Sequence, residues 1–120
     1  DPSKTTIFYK RPQLEAYKYL HDIKNLQGVY DLSQKWFRSG AFYYLHRNVP
    51  IYFFDRPPGN MAYISHIITD FPIANAPEFQ LEKSIGEVNI YGRKNKNFAY
   101  QKDPNYNYNF LQPGVDISLH

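Results

Sequence analysis

Four apolar side chains repeat every third residue near the start of the chain, at Leu14, Tyr17, Leu20 and Ile23, with Ala16 alongside and mostly polar residues at the other positions. This spacing places the apolar groups on one side of a helix. Pro12 stands where the first turn would begin, a position that proline favours. The pattern therefore predicts an amphipathic helix from about residue 12 to residue 25.

Downstream, β-branched and aromatic residues dominate, which is typical of strands. Asp31, with Gln34 three residues later, resembles a capping box, so a short second helix is predicted over 31–37. Strands are predicted at 4–10, 41–46, 49–55, 61–71, 87–94, 96–102, 105–110 and 114–119.

Two hairpins connect some of these strands in the prediction. The loop 56–60, with sequence RPPGN, would join 49–55 to 61–71, and a turn near 92–95 would join 87–94 to 96–102. The order of elements predicts an α+β fold: a strongly bent, mostly antiparallel sheet or a small β-barrel, with one or two helices packed on it. At 120 residues the chain is expected to be a single domain spanning 1–120, and the sequence leaves open whether it is a fragment of a larger protein.

Composition adds one unusual feature, an aromatic share of 18% led by 12 tyrosines. A tyrosine ring with its polar tip suits half-buried sheets and stacking surfaces. The formal charge of +3 permits a polyanionic partner without requiring one. Because cysteine is absent, disulfides and thiolate metal sites are excluded, and a cytoplasmic location is favoured, although a secreted domain fits as well. No apolar run is long enough for a membrane helix, so no membrane partner is expected.

Catalytic chemistry has one candidate in the histidines. His46 ends one predicted strand and His66 lies within another, so the two could face each other across the sheet and act as general acid and base on a phosphodiester. No spacing typical of metal ligands occurs, so no metal and no cofactor are predicted.

A stronger pattern is the interleaving of cations, rings and asparagines over residues 91–110. Aromatic rings stack on unpaired bases, and cations neutralise the phosphates between them. Trp36 beside Arg38 adds a possible aromatic pocket wall. The candidate binding residues are Trp36, Arg38, Tyr43, Tyr44, Arg56, Arg93, Lys94 and Lys96.

The order strand, helix, Trp-bearing segment and then VPIYFFDRPPGNMAYISHIITD resembles the PUA-like superfamily, especially its EVE, YTH and ASCH branches. The resemblance covers about residues 5–72, with Ile51–Phe54 and Ala62–Ile68 matching the two central strands. It implies a small bent barrel that recognises a modified or flipped base in an aromatic pocket. Trp36 would be the pocket aromatic, with Tyr43, Tyr44 and Phe53 as weaker candidates.

Three functions follow from these features. The first is a non-enzymatic nucleic-acid-binding module, DNA or RNA, that uses aromatic stacking or an aromatic pocket and basic loops. The second is a small metal-independent ribonuclease or nuclease toxin with His46 and His66 as the catalytic pair. The third is a carbohydrate- or protein-binding domain, since tyrosine and asparagine also suit sugar faces and strand edges. Other domains of a larger protein are a further possible partner.

Overall fold

The computed structural model of the chain describes residues 11–33, 45 and 47–106. Its elements are helix α1 (Arg11–His21) and strands β1 (Val29–Asp31), β2 (Ile51–Phe53), β3 (His66–Thr69), β4 (Phe79–Ile85) and β5 (Val88–Arg93), with a 3-10 helix at Met61–Tyr63 between β2 and β3. The strands form one sheet in the order β2-β1-β3-β5-β4. The α+β class is confirmed, and within the described ranges the sheet is curled but does not close into a barrel.

The sheet is mixed. Strand β1 pairs in parallel with β2 on one side and with β3 on the other. Strand β5 pairs antiparallel with β3 and with β4. The expectation of a mostly antiparallel sheet is therefore corrected, because half of these four pairings are parallel.

The hairpin predicted between 49–55 and 61–71 is wrong. Strands β2 and β3 are separated by β1, and each hydrogen-bonds to it rather than to the other. All residues of both strands are buried, which is typical of parallel strands covered on both faces. The loop 56–60 is thus part of a crossover over β1 and not the turn of a hairpin.

The second hairpin exists one strand earlier than predicted. It joins β4 to β5 through Gly86 and Glu87, and Gly86 adopts the left-handed φ of 59° that a tight two-residue turn needs. Residues 96–102 form no strand. Asp31, predicted to cap a second helix, is instead the last residue of β1, and residues 34–37 lie outside the described ranges.

Two apolar layers cover the two faces of the sheet. Helix α1 packs Ala16, Tyr17 and Leu20 against one face, together with Val29 and Ile68 of the strands. Burial of each of the larger aliphatic side chains, such as Leu20 and Ile68, contributes roughly 1.5–3 kcal/mol. The helix type is as predicted, although α1 ends at His21 rather than near residue 25.

A row of side chains crosses all five strands on the face opposite α1. The strand register aligns one residue from each strand, in the order Tyr52, Tyr30, Ile67, Tyr91 and Leu81. Tyr52 and Ile67 are buried there in a second apolar cluster with Ile64 and Phe79. This row accounts for part of the tyrosine content, which serves cross-strand packing.

Gly28 is the described glycine at which the backbone of another segment leaves no room for a side chain. A Cβ at this position would collide with the carbonyl group of Tyr63, which is backbone and cannot move aside as a side chain can. The Gly28 carbonyl accepts hydrogen bonds from the N–H groups of Ser65 and His66, at 2.9 and 3.1 Å. The start of β3 is therefore docked directly on the residue that precedes β1.

We predict that Gly28→Ala lowers the free energy of unfolding by roughly 1–3 kcal/mol, the usual cost of forcing an extra methyl group into a packed site. Gly59→Ala is the matched control, since nothing lies within 4 Å of an added Cβ there. Urea denaturation of both variants measures the difference. Equal stability of the two variants would contradict this packing at Gly28.

Candidate functional site

A groove of about 290 Å³ lies where the amino ends of β1 and β2 meet the segment after β5. Three residues with carboxamide side chains line it, Gln27, Asn48 and Gln101. Tyr100 supplies an aromatic ring and Lys102 a cation, and Val49 and Pro50 form an apolar wall. We call this surface the Tyr100 groove. Its lining combines hydrogen-bonding amides with one ring, as in sites that orient a flat polar ligand.

A chain of polar side chains begins beside the groove, where Ser65 Oγ accepts a hydrogen bond from the Gln27 N–H. It continues through His66, Glu82 and Lys96, and we call it the Glu82 cluster. His66 Nε2 is 3.4 Å from Glu82 Oε1, and Lys96 Nζ is 3.2 Å from Glu82 Oε2. His66 Nδ1 is 2.8 Å from Ser65 Oγ. The cluster runs from the buried start of β3 to the surface, where the Lys96 side chain is 63% exposed.

The proton positions in this cluster follow from burial. Burial lowers the pKa of the His66 imidazole, an effect that the Glu82 carboxylate partly offsets. The ring is therefore neutral near pH 7 and carries one N–H. With that proton on Nε2, which faces Glu82 Oε1, Nδ1 is an acceptor 2.8 Å from Ser65 Oγ. The Ser65 hydroxyl has one proton, and the Gly28 carbonyl at 3.2 Å is its other acceptor. Ser65 Oγ in turn accepts from the Gln27 N–H at 2.9 Å.

The Glu82 cluster does not have the geometry of a phosphodiester acid–base pair. An acid and a base that act on one phosphate need space for it between them, whereas His66 and Glu82 contact each other directly. Ser65 is fully buried and is not exposed to a substrate as a nucleophile. The buried His66 ring contacts the Glu82 carboxylate and helps to hold it in place. His46 lies outside the described residues, so the proposed His46–His66 pair remains a prediction.

Arg93, predicted as a phosphate contact, is buried at the end of β5. Its Nε donates to the Ile64 carbonyl at 3.1 Å, and a terminal nitrogen donates to the Met61 carbonyl at 2.6 Å. The guanidinium packs 4.6 Å from the centre of the Phe79 ring and 3.7 Å from that of Phe98. This cation has a structural role and is not presented to a ligand.

The other predicted binding residues are spread over the surface or lie outside the described ranges. Arg56 is exposed in the turn after β2, where it exchanges two backbone hydrogen bonds with Phe53. Lys94 is exposed, and its backbone N–H donates to the Glu78 carbonyl. The residues outside the described ranges are Trp36, Arg38, Tyr43 and Tyr44.

Four of the seven residues that line the Tyr100 groove, Gln27 and residues 48–50, lie outside the flagged segment 91–110. Tyr100, Gln101 and Lys102 lie within that segment, although none of them was among the candidate binding residues. Gln27 and Asn48 carry no distinctive signal, except that each lies two or three residues before a buried strand begins. The position of Glu82 in this cluster could not be predicted from the sequence, because its strand, β4, has mostly exposed side chains and a register shift between Leu81 and Lys83.

A second polar cluster surrounds Asp31 at the carboxyl end of β1. The buried carboxylate accepts hydrogen bonds from Tyr17 Oη at 2.6 Å and from the Ser33 N–H and hydroxyl at 2.9 and 2.6 Å. Burial raises the pKa of Asp31 to about 6, and the charge of Asp70 adds to this, while the hydrogen bonds oppose it. The pKa of Tyr17 is also raised, first by burial and then by the Asp31 charge.

Neither cluster offers a metal site within residues 11–33, 45 and 47–106, where no group of three or more His, Asp or Glu side chains converges. In the same ranges no helix is long and apolar enough to cross a membrane.

Comparison of the chain with family models, curated proteins and solved structures found no match.

Asp31 predicts a pH dependence of stability. A carboxyl whose pKa is higher in the folded state than in the unfolded state stabilises the fold below pH 4, and this contribution is lost as the pH rises through 6. With a folded-state pKa of about 6 against 3.8, the loss is about 3 kcal/mol. Asp31→Asn keeps an oxygen for Ser33 and removes the titration.

We expect the free energy of unfolding of the wild type to fall between pH 4 and pH 7 relative to that of Asp31→Asn. Urea denaturation of both proteins at several pH values measures the difference. Parallel pH curves would contradict this assignment.

Proposed function

We propose that this chain binds single-stranded nucleic acid and holds an unpaired base in the Tyr100 groove. The observation that carries the proposal is the coexistence of one aromatic ring, three carboxamides and a lysine in that groove. Rings stack on bases whatever their identity, and amides hydrogen-bond base edges. A lysine beside them suits the phosphate that follows each base.

The Glu82 cluster extends this chemistry. Lys96 is highly exposed, and its ion pair with Glu82 is of the weak surface type that a ligand phosphate can replace. Lys94 is exposed two residues earlier. The cations proposed to contact phosphates are therefore Lys94, Lys96 and Lys102, and the buried Arg93 is not among them.

A finer form of the proposal concerns a modified or flipped base. The PUA-like resemblance motivates it, and its pocket residue would be Trp36. Binding of probes that carry one methylated base, compared with plain probes, tests this form separately.

A carbohydrate ligand is the second candidate. Three amides around one ring also suit the hydroxyl groups and the apolar face of a sugar. Salt separates the two ligands. Nucleic-acid binding weakens steeply as salt rises, because phosphate contacts release counterions, whereas sugar binding changes little.

We predict that Tyr100→Ala weakens binding of a labelled single-stranded 12-mer by roughly 5- to 100-fold, because one base loses its stacking partner. Fluorescence anisotropy measures the affinity. Phe54→Ala removes an exposed ring outside the groove and should leave the affinity unchanged. Thermal unfolding shows whether each variant is folded.

Salt titration of the same complexes supplies the charge test. Lys102→Gln should lower the slope of log K against log salt by about 0.7, the value for one phosphate contact on a single strand. Lys18→Gln, at an exposed position of α1, should leave the slope unchanged. No binding at low salt, or binding without salt dependence, would overturn the nucleic-acid proposal. Cleavage of the probe would instead support the nuclease alternative.

A further inference from the structure

The short 3-10 helix between β2 and β3 holds two other segments through its backbone carbonyls. The Arg93 guanidinium donates to the Met61 carbonyl at 2.6 Å and to that of Ile64, the residue directly after the helix, at 3.1 Å. Between these two, the Ala62 carbonyl accepts a hydrogen bond from the Gln101 N–H at 3.1 Å, and Gln101 lines the Tyr100 groove. Arg93 and one wall of the groove are therefore attached to the same short stretch of backbone.

Three aromatic rings pack around the Arg93 guanidinium. Its central carbon lies 4.6 Å from the centre of the Phe79 ring, 3.7 Å from that of Phe98 and 5.7 Å from that of Tyr100. The Phe98 and Tyr100 rings also contact each other edge to face, with their centres 4.9 Å apart. A cation attracts the faces of aromatic rings, and the attraction is stronger where water is excluded. Arg93 is only 6% exposed, so its contacts with the rings are of this stronger kind.

Tyr100 is the member of this group that lines the groove, whereas Phe79, Phe98 and Arg93 do not line it. A ligand in the groove therefore contacts the Tyr100 ring and not the guanidinium packed behind it. The guanidinium connects that ring, through Phe98, to the 3-10 helix and to the end of β5.

We propose that Arg93 is a positioning residue for base binding: it fixes the Tyr100 ring in place for stacking and does not contact the ligand itself. The inference rests on the proposed function. It requires that the affinity for nucleic acid depends on Arg93 only through Tyr100. Lysine cannot replace arginine in this role, because an ammonium group lacks the planar fork that donates to two carbonyls while it stacks on rings.

A double-mutant cycle on the affinity for the labelled single-stranded 12-mer tests this dependence. Arg93→Lys should weaken binding by roughly 3- to 30-fold, and by no more than Tyr100→Ala does, because both changes remove the same stacking interaction. The variant that carries both changes should bind within about twofold of Tyr100→Ala alone. Losses that multiply in the double variant would show that Arg93 acts on the ligand by another route, and they would overturn the proposal.

The salt dependence of binding separates a positioning role from a phosphate contact. Arg93→Met removes the charge and keeps a long apolar side chain. Its affinity should fall, but the slope of log K against log salt should equal that of the wild type, because no phosphate contact is lost. A slope lowered by about 0.7, the value for one phosphate contact on a single strand, would place Arg93 on the ligand and contradict the proposal.

Val88→Ala is the control for a general loss of stability. Val88 is fully buried in the apolar layer under α1, on the same strand as Arg93, and it does not line the groove. This variant should bind the 12-mer as tightly as the wild type at a temperature at which thermal unfolding shows all variants to be folded. Equal weakening by Val88→Ala and Arg93→Lys would assign the effect of Arg93 to stability alone.

NMR of the wild type decides the question even if an Arg93 variant does not fold. The Arg93 Nε–H is donated to the Ile64 carbonyl and the guanidinium lies on the Phe98 ring, so this proton should exchange slowly and show a nuclear Overhauser effect to that ring. Both features should persist when the 12-mer is bound, while the Tyr100 ring signals shift. Loss of the contact with Phe98 on binding would show that the guanidinium moves to the ligand.

The outcomes separate the two proposals. If the wild type does not bind the 12-mer, the proposed function fails, and the role of Arg93 fails with it. If Tyr100→Ala weakens binding and Arg93→Lys does not, the function stands and the role of Arg93 is overturned.

Discussion

The docking of Gly28 on the start of β3 is the contact on which the rest of the described structure depends. Its carbonyl accepts hydrogen bonds from two N–H groups, and the Tyr63 carbonyl occupies the space that a Cβ at this position would need. This contact sets the parallel register in which Val29 faces His66. It brings Ser65 under the Gln27 N–H and directs His66 toward Glu82. One backbone junction therefore aligns the groove wall and the Glu82 cluster together.

Arg93 plays a complementary part on the other side of the sheet. Burying a guanidinium costs free energy unless its N–H groups form hydrogen bonds. Here two of them donate to backbone carbonyls, and the rings of Phe79 and Phe98 pack against the guanidinium. Because Phe98 and Tyr100 belong to the segment after β5, this interaction fixes that segment against the sheet. A residue that looks like a phosphate ligand in the sequence thus positions the ring proposed to stack on a base.

The α+β class and helix α1 were predictable because a three-residue apolar spacing and strong strand propensity are local signals. The pairing of strands was not. The runs 49–55 and 61–71 are close in sequence, so a hairpin was the simplest prediction. All residues of β2 and β3 are buried, however, as is typical of parallel strands, and here the two strands flank a third. That third strand, β1, has only three residues and no distinctive pattern. The groove combines residues near 27, 48 and 101, and no local pattern connects such distant positions.

The most direct test of the account uses the side-chain amide groups of the groove as reporters. An NMR titration of ¹⁵N-labelled protein with a short single-stranded RNA follows the NH₂ signals of Gln27, Asn48 and Gln101. The account predicts that these three signals and the backbone signals of 100–102 shift together and saturate at one ligand per chain. Shifts confined to the exposed turn around Arg56, with the three amide signals unmoved, would contradict it.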